Sequence, residues 1–289
     1  MVRPAERRQV TNYLLETYRM SERRACQVTL LHRSTRQYKP HPDPNEGIRT
    51  RLKELAEQRP RWGQPRLHYL LRKEGLVINH KRSERLYREL GLSLRLRRRK
   101  KRVSHLRVVM PAPSRPNERW SMDFVFDQLV TGRRLKCFTL VDDCSRESPV
   151  IETAHSITGH HVVEVLERIR EERPLPSVIV CDNGPEFTSR VLDEWAHRNN
   201  VKLDFIDPGR PVQNAYIESF NGKFRDECLN QNIFLNLSDA RKKNEDWRRD
   251  YNTERPHSSL GNETPEAFAK QYQPMLSEKT GACEVITGP

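Results

Sequence analysis

The 289-residue chain is poor in the features that mark membrane, secreted and zinc-stabilised proteins. No apolar run approaches the roughly 20 residues that span a bilayer, so no transmembrane helix is expected. The amino terminus is charged within its first eight residues, which argues against a secretory signal. The six cysteines (Cys26, Cys137, Cys144, Cys181, Cys228 and Cys283) form no C-x-x-C pair, and none sits near histidine at zinc-finger spacing. They are expected to be reduced cytoplasmic thiols, several of them buried as small apolar residues. No sustained heptad of apolar a and d positions precedes residue 40, so no coiled coil is expected there.

Basic charge is abundant and one-sided. Lys and Arg outnumber Asp and Glu by 52 to 39, a net charge of +13. Residues 1–102 hold 28 basic and 10 acidic side chains; residues 103–289 hold 24 and 29. A front third of this kind is built for a polyanion, whereas charge kept only for solubility would be interspersed.

Residues 4–18 read as a helix with Val10, Tyr13, Leu14 and Tyr18 on one apolar side. Ser21 suits the N-cap of a second helix carrying Ala25 and Val28. A short basic piece follows at Ser34–Tyr38. This segment, 1–38, is either a helix-turn-helix or an ordinary helical bundle. Lys39–Gly47, with three prolines, reads as a linker. A second helical unit spans 48–92: Ile48–Gln58 with Leu52 and Leu55 inward, Pro65–Lys73 with Leu67, Leu70 and Leu71 inward, and a last helix from an Asn79 cap to Gly91. That last helix carries Lys81, Arg82, Arg85 and Arg88 on its outer side, a second candidate reader of DNA. In Arg95–Arg102, seven of eight residues are cationic. Such a run cannot pack as a core. Arg97, Arg98, Arg99, Lys100, Lys101 and Arg102 either track phosphates or form a basic tether within a linker, 93–117.

From Glu118 the pattern changes. Trp120, Met122, Phe124 and Phe126 alternate with Ser121, Asp123, Val125 and Asp127, which is strand periodicity and puts Asp123 mid-strand on the less apolar face. Leu135–Val141 and Ser148–Glu152 are further strands, antiparallel because their connections are short. A helix over Thr158–Glu172 follows. Val178–Cys181 reads as a buried strand ending at Asp182-Asn183-Gly184-Pro185. Thr188 is expected to cap a helix burying Val191, Leu192 and Trp195, and Val201–Ile206 is a fifth strand. Ile217, Phe220, Phe224 and Cys228 recur at helical spacing, with Glu218 beside the stripe and Arg225 seven residues on, on the same side. Ser238 is expected to cap a helix to Tyr251. The following segment is polar, and 273–289 reads as a tail. The order of elements predicts an α/β core, a mixed sheet with helices on its faces. Asp123, Asp182 and Glu218 make a donor set for hard divalent cations: two Mg²⁺ about 4 Å apart activate an attacking oxygen and stabilise a leaving one. Asp142 and Asp143 are rival ligands. His160 and His161 read as exposed helix surface, and His257 either steadies a turn or touches DNA.

Several phrases carry a family resemblance. Trp120-Ser121-Met122-Asp123, Asp182-Asn183-Gly184-Pro185-Glu186-Phe187 and Asn214 to Asn221 occur in order, with thirty-five residues between the positions of Asp182 and Glu218. Tyr251-Asn252, Arg255-Pro256-His257-Ser258-Ser259-Leu260 and Thr264-Pro265 follow. Over roughly residues 1–272 the chain resembles the second-frame catalytic protein of the two-frame DDE transposases of bacterial insertion sequences. The resemblance implies a ribonuclease H-like, retroviral integrase-like core at 118–272, preceded by helix-turn-helix units that bind DNA. It implies catalytic and metal-holding roles for Asp123, Asp182 and Glu218, and Mg²⁺ or Mn²⁺ as cofactor; Arg225 either contacts a DNA phosphate near that site or is a helix-surface charge pairing with Glu218 or Asp226. It further implies cleavage and strand transfer at element ends by a homo-multimer on double-stranded DNA near the bacterial nucleoid. The upstream-frame protein is an expected partner, with activity depending on fusion to it. Two other functions remain open on the residues alone: a non-catalytic DNA-binding regulator, and a nuclease that cuts without joining.

Overall fold

The computed structural model describes residues 3–39, 43–77, 79–94, 113–207 and 214–272. The chain divides into two units, residues 1–47 and 48–289.

The first unit holds α1 (Pro4–Tyr18), α2 (Glu22–Val28) and α3 (Arg33–Gln37). Ser21 caps α2 by accepting from the Arg24 amide. The apolar side expected on α1 is not its packing face: Val10, Tyr13 and Tyr18 are exposed, as is Val28 of α2. Two helices of seven and five residues offer little apolar surface, and the buried apolar residues are Ala25, Cys26 and Leu31. Polar contacts do the fastening instead. The buried Thr11 hydroxyl lies 2.8 Å from that of Thr29, Arg7 donates to the Leu30 carbonyl, and Arg8 donates to that of Thr35.

The second unit begins with three helices, α4 (Glu46–Gln58), α5 (Gln64–Lys73) and α6 (His80–Glu89). Leu52, Leu55, Trp62, Leu67, Leu71 and Leu86 form their shared core. Asn79 caps α6 by accepting from the Lys81 amide at 3.0 Å. Gly75 and Gly91 follow α5 and α6 at φ +75° and +67°, backbone that glycine adopts without strain.

The core then builds one five-stranded sheet from β1 (Arg119–Gln128), β2 (Arg134–Asp142), β3 (Val150–Ala154), β4 (Val178–Cys181) and β5 (Lys202–Phe205). Its spatial order is β3-β2-β1-β4-β5, antiparallel from β3 to β1 and parallel from β1 through β5. Helices α7 (Gly159–Glu172) and α8 (Arg190–Arg198) contribute Val162, Leu166, Leu192 and Trp195 to the core on one face, against Trp120 and Met122. On the other, α9 (Ala215–Glu227) and α10 (Leu237–Thr253) pack Ile217, Phe220, Phe224 and Tyr251 against Val125, Leu135 and Val141. β1 therefore alternates into two cores, and the face that carries Asp123 is covered by a helix. A short α11 (Pro265–Lys270) closes the described chain.

Three local expectations shift. β3 begins at Val150 rather than Ser148, because Asn252 takes both the amide and the carbonyl of Ser148, each at 2.9 Å, and Pro149 has no N–H to give a ladder. The residue before α8 is Ser189, not Thr188, whose hydroxyl donates to the Gly184 carbonyl. Asn236 rather than Ser238 caps α10, accepting from the Asp239 amide at 2.9 Å. No helix among the described residues is long and apolar enough to cross a membrane.

Candidate active site

Strand register brings the first two acids level. β1 and β4 run parallel with Ser121 beside Val180, so two residues further on Asp123 of β1 stands beside Asp182, the residue that follows β4. Trp120, Met122 and Ile179, all fully buried, hold the two strand ends in place. The DNGP turn then bends the chain away, and the Asp182 carboxylate accepts the Gly184 amide at 3.0 Å. A Cβ on Gly184 would lie 3.0 Å from Asp182 Oδ1 and 3.4 Å from Glu186 Oε2, so a larger residue there would crowd the carboxylate.

Glu218 lies in the first turn of α9, whose stripe of Ile217, Phe220 and Phe224 is buried against β1 and β2. The side chain itself stands at the surface. One turn on, Asn221 ties this helix to the strand: its Nδ2 donates to Asp123 Oδ2 at 2.8 Å, and its Oδ1 accepts from the Thr139 hydroxyl at 2.9 Å. Thr139 is fully buried directly across from Asp123 on β2. Asp123 Oδ1 accepts the Phe124 amide. Asn221 was not singled out from the sequence. The signal was its place three residues after Glu218, on the same side of the helix.

Burial pushes the Asp123 carboxyl up to about 6, and the negative charges of Asp182 and Glu218 push in the same direction, against the hydrogen bonds from Phe124 and Asn221. What burial Glu218 has raises its carboxyl too. Among the described residues no Lys or Arg pairs with any of the three. Nor do any three Asp, Glu, His or Cys side chains there stand close enough to hold a metal ion as they are. The three acids are thus electrostatic neighbours without forming a ready-made ligand cluster. The chemistry of the set still fits a hard cation: oxygen donors only, partly desolvated, mutually repelling and lacking a counter-charge.

The rival acids stand in the opposite condition. Asp142 is fully buried and accepts the amides of Asn117, Cys144 and Ser145 and the Ser145 hydroxyl. Asp143 accepts from Ser121 Oγ and Arg119 Nε, each at 2.7 Å. Both are committed to holding the β2–β3 turn against the start of β1, which leaves them no free face for a metal.

The other candidates are scattered. Arg225 is exposed on α9, its Nη2 3.5 Å from the Phe126 carbonyl. On α6, Lys81, Arg85 and Arg88 are exposed and Arg82 is half-buried. Arg88 pairs with Glu84 at 2.5 Å and Arg85 with Glu89 at 3.6 Å, so part of that helix's outer charge is answered internally. Arg97 to Arg102 lie outside the described residues. His160 is exposed, and His161 Nε2 lies 3.9 Å from Glu152. His257 is buried, its amide bonded to the Glu263 carbonyl and its ring edge-on to Tyr251 at 4.8 Å, which places it in a turn.

Residues 113–211 and 199–265 match two family descriptions that both read integrase core domain, and residues 44–102 match an HTH-like domain. The uncharacterized 31.7 kDa protein of insertion element IS407 from Burkholderia multivorans is 49% identical over 259 residues, 89% of this chain and 94% of that protein. Transposase InsF of insertion sequence IS3A from Escherichia coli is 25% identical over 230 residues, 75% of this chain and 80% of that one. A chain of the simian T-cell lymphotropic virus intasome, solved with the PP2A regulatory subunit B56 gamma, shares the fold. Its TM-score is 0.51 at 14% identity, over 75% of this chain and 74% of that chain.

Proposed function

Because this chain belongs to the insertion-element transposases with an integrase core, we propose that Asp123, Asp182 and Glu218 are the catalytic acids of its DNA cleavage and joining. The observation that carries this reading is the state of Asp123: a half-buried carboxylate, level with Asp182, held by a side chain from the Glu218 helix, and unpaired with any cation among the described residues. Asp123 on β1 and Asp182 just after the neighbouring β4, with Glu218 in the first turn of α9, would hold two divalent cations, Mg²⁺ or Mn²⁺. The ions supply Lewis acidity for an in-line displacement at a phosphodiester.

The protein's own part is placement. The sheet fixes Asp123 and Asp182 relative to each other. Asn221 keeps the Asp123 carboxylate turned toward α9, and the donor from Asn221 favours its ionised form. Arg225, on the Glu218 side of the same helix, reaches a phosphate flanking the scissile bond. In the first step water attacks at the element end and frees a 3′-hydroxyl; in the second that hydroxyl attacks a new phosphodiester. Each step exchanges one P–O bond for another, so no covalent protein intermediate and no redox partner is needed.

Lys81, Arg82, Arg85 and Arg88 of α6, and the basic run Arg97–Arg102, are the proposed DNA contacts ahead of the core, within a layout of 1–38, 48–92, 93–117, 118–272 and 273–289. We propose also that the chain acts as a multimer bridging two ends, and with its upstream-frame protein.

Labelled element ends incubated with Mg²⁺ test the reading. Joined product is expected from the wild type, and Asp182→Asn is expected to lose cleavage and joining alike while still binding DNA. Cleavage without joined product would make the protein a nuclease, and binding without cleavage a regulator. An Asp182→Asn protein that still cuts would remove Asp182 from the chemistry.

A further inference from the structure

Helix α9 carries a second charged flank that the proposed chemistry does not use. At 100° per residue, Glu218, Asn221 and Arg225 border one side of the stripe formed by Ile217, Phe220 and Phe224, while Tyr216, Lys223 and Glu227 border the other. Four cations converge on that second flank: Lys223 of α9, Arg146 of the β2–β3 turn, Arg66 of α5 and Arg255 after α10. The charge of each of the other three bears on Lys223, and all four bear on His257.

One carboxylate answers them. Glu227 receives Arg255 through two hydrogen bonds of 2.8 and 2.7 Å, with Arg66 3.6 Å away. Neither Lys223 nor Arg146 pairs with a carboxylate among the described residues. Lys223 Nζ donates to Ser219 Oγ at 3.1 Å, and Arg146 donates to the Asp143 carbonyl while its guanidinium lies 4.0 Å from the centre of the Tyr216 ring. Two further observations show an imbalance of charge and of hydrogen bonding. His257 Nε2 is buried with no hydrogen-bond partner among the described residues, in a residue only 4% exposed. Burial first, and then the surrounding positive charge, push Lys223 down to about 8 and His257 down to about 2. Partly buried cations held close together are stabilised by an anion placed beside them.

We infer that Lys223, Arg146 and Arg66 form a binding site for a DNA backbone phosphate, with Arg255, fixed by Glu227, as its inner wall. The site takes a phosphodiester in particular because its donors are spread over three separate elements, a shape that a strand running along α9 can meet. It would bind DNA on the flank of α9 away from Glu218, so that one rigid helix grips the backbone on one side and presents a catalytic acid on the other. This inference rests on the DNA-joining function proposed above, but it does not depend on the triad.

The test uses the full-length protein, a fluorescein-labelled random-sequence duplex, and EDTA, so that metal chemistry plays no part. Fluorescence anisotropy is measured as a function of salt. Lys223→Gln is expected to weaken binding about five- to tenfold and to reduce the slope of log K against log salt by about 1, while Lys223→Arg keeps the wild-type slope. Loss of a like charge also predicts that free Lys223→Gln melts no lower than wild type. Arg146→Gln should repeat the loss of slope. Inorganic phosphate at millimolar concentration should compete less well than an equal concentration of duplex phosphate; stronger competition would identify a free-phosphate site and overturn the assignment to DNA. An unchanged slope in Lys223→Gln, or an equal loss in Lys223→Arg, would overturn the site itself. Asp182→Asn should keep the wild-type slope, so failure of the triad and failure of this site give different results.

Discussion

The two flanks of α9 make opposite electrostatic demands. On one, Asp123, Asp182 and Glu218 repel one another with no cation to answer them among the described residues. On the other, the charges of Arg146, Arg66 and Arg255 bear on Lys223, and among the described residues Glu227 pairs with Arg255 and Arg66 but with neither Lys223 nor Arg146. Between the flanks runs a stripe of Ile217, Phe220, Phe224 and Cys228, each at most 1% exposed. Burying a side chain of this size stabilises by about 1.5–3 kcal/mol, so the stripe offsets the repulsion on either side. The two edges of one helix thus gather like charge of opposite sign, which on the proposed readings a divalent cation and a polyanion would relieve. Elsewhere comparable charges are satisfied: Asp142 and Asp143 have hydrogen bonds to every oxygen, and Arg173 pairs with Glu147 through two. The contrast separates acids that build the fold from acids without a counter-charge among the described residues, the ones we propose as metal ligands.

The largest expected effect breaks the acidic flank alone. Asp182→Asn should lower cleavage and joining by about a thousandfold, since metal-assisted charge stabilisation is worth several kcal/mol. Its affinity for duplex in EDTA should remain that of wild type. If the variant lost binding and cleavage together, the two flanks would not be separable and the comparison would fail.

The next prediction sharpens the basic flank. Glu227→Gln leaves Arg255, whose side chain is 2% exposed, without its counter-charge. Breaking a buried pair from one side costs about 3 kcal/mol or more, which for a core of this size lowers the melting midpoint by roughly 6–12 °C. Lys223→Gln, on the same flank, is expected to melt at or above wild type. The two single-charge removals should thus move stability in opposite directions. Equal losses would mean that the cluster is not short of negative charge.

A smaller effect concerns the joint between strand and helix. Asn221→Ala removes the hydrogen bond to Asp123 Oδ2 but leaves the Thr139 hydroxyl its contact with the Asp123 carbonyl. Losing a supporting partner of this type costs about 10- to 100-fold in activity. It also removes a donor that favours the ionised carboxylate, so the acid limb of the rate–pH profile should move to higher pH. A merely structural role for Asn221 would lower the rate without moving that limb.

Much of this was legible in the chain, and the part that was not has a common cause. β1 and α9 declare themselves by period and β4 by its short apolar run, and the phrases around Asp123, Asp182 and Glu218 carry the resemblance on which their proposed role rests. Caps were misread by one or two residues where several capping side chains stand together, as at Thr188-Ser189 and Asn236-Leu237-Ser238. Val10, Tyr13, Leu14 and Tyr18 give α1 one apolar side, yet Val10, Tyr13 and Tyr18 are exposed, because periodicity reports an apolar side and not whether its own unit covers it. The segment after Tyr251 was read as polar, and it is. Arg255 and His257 are nevertheless buried, because Glu227 and Tyr251 receive them. Pairings such as Asn221 with Asp123, through one hydrogen bond, or Arg255 with Glu227, through two, join side chains distant in the chain, and no local pattern encodes them.

The finest distinction between the flanks is in their response to pH. Asp123 sits at about 6 in the folded protein, above the roughly 3.9 of an unperturbed aspartate. Between those values the folded state binds more protons than the unfolded one, so stability falls as pH rises through this window. The loss from this one group is at most about 3 kcal/mol, at 1.36 kcal/mol per unit. Mg²⁺ competes with that proton, because only the ionised carboxylate is a ligand. Added Mg²⁺ should therefore raise the melting midpoint little at pH 5 and by a few degrees at pH 7.5, about 1–2 kcal/mol. In Asp182→Asn the Mg²⁺ shift should vanish, while the stability lost by the free protein on going from pH 4 to pH 6 should shrink, since one repelling charge is gone. Lys223→Gln should leave both trends untouched. A Mg²⁺ shift of equal size at both pH values would place the ion somewhere other than on Asp123.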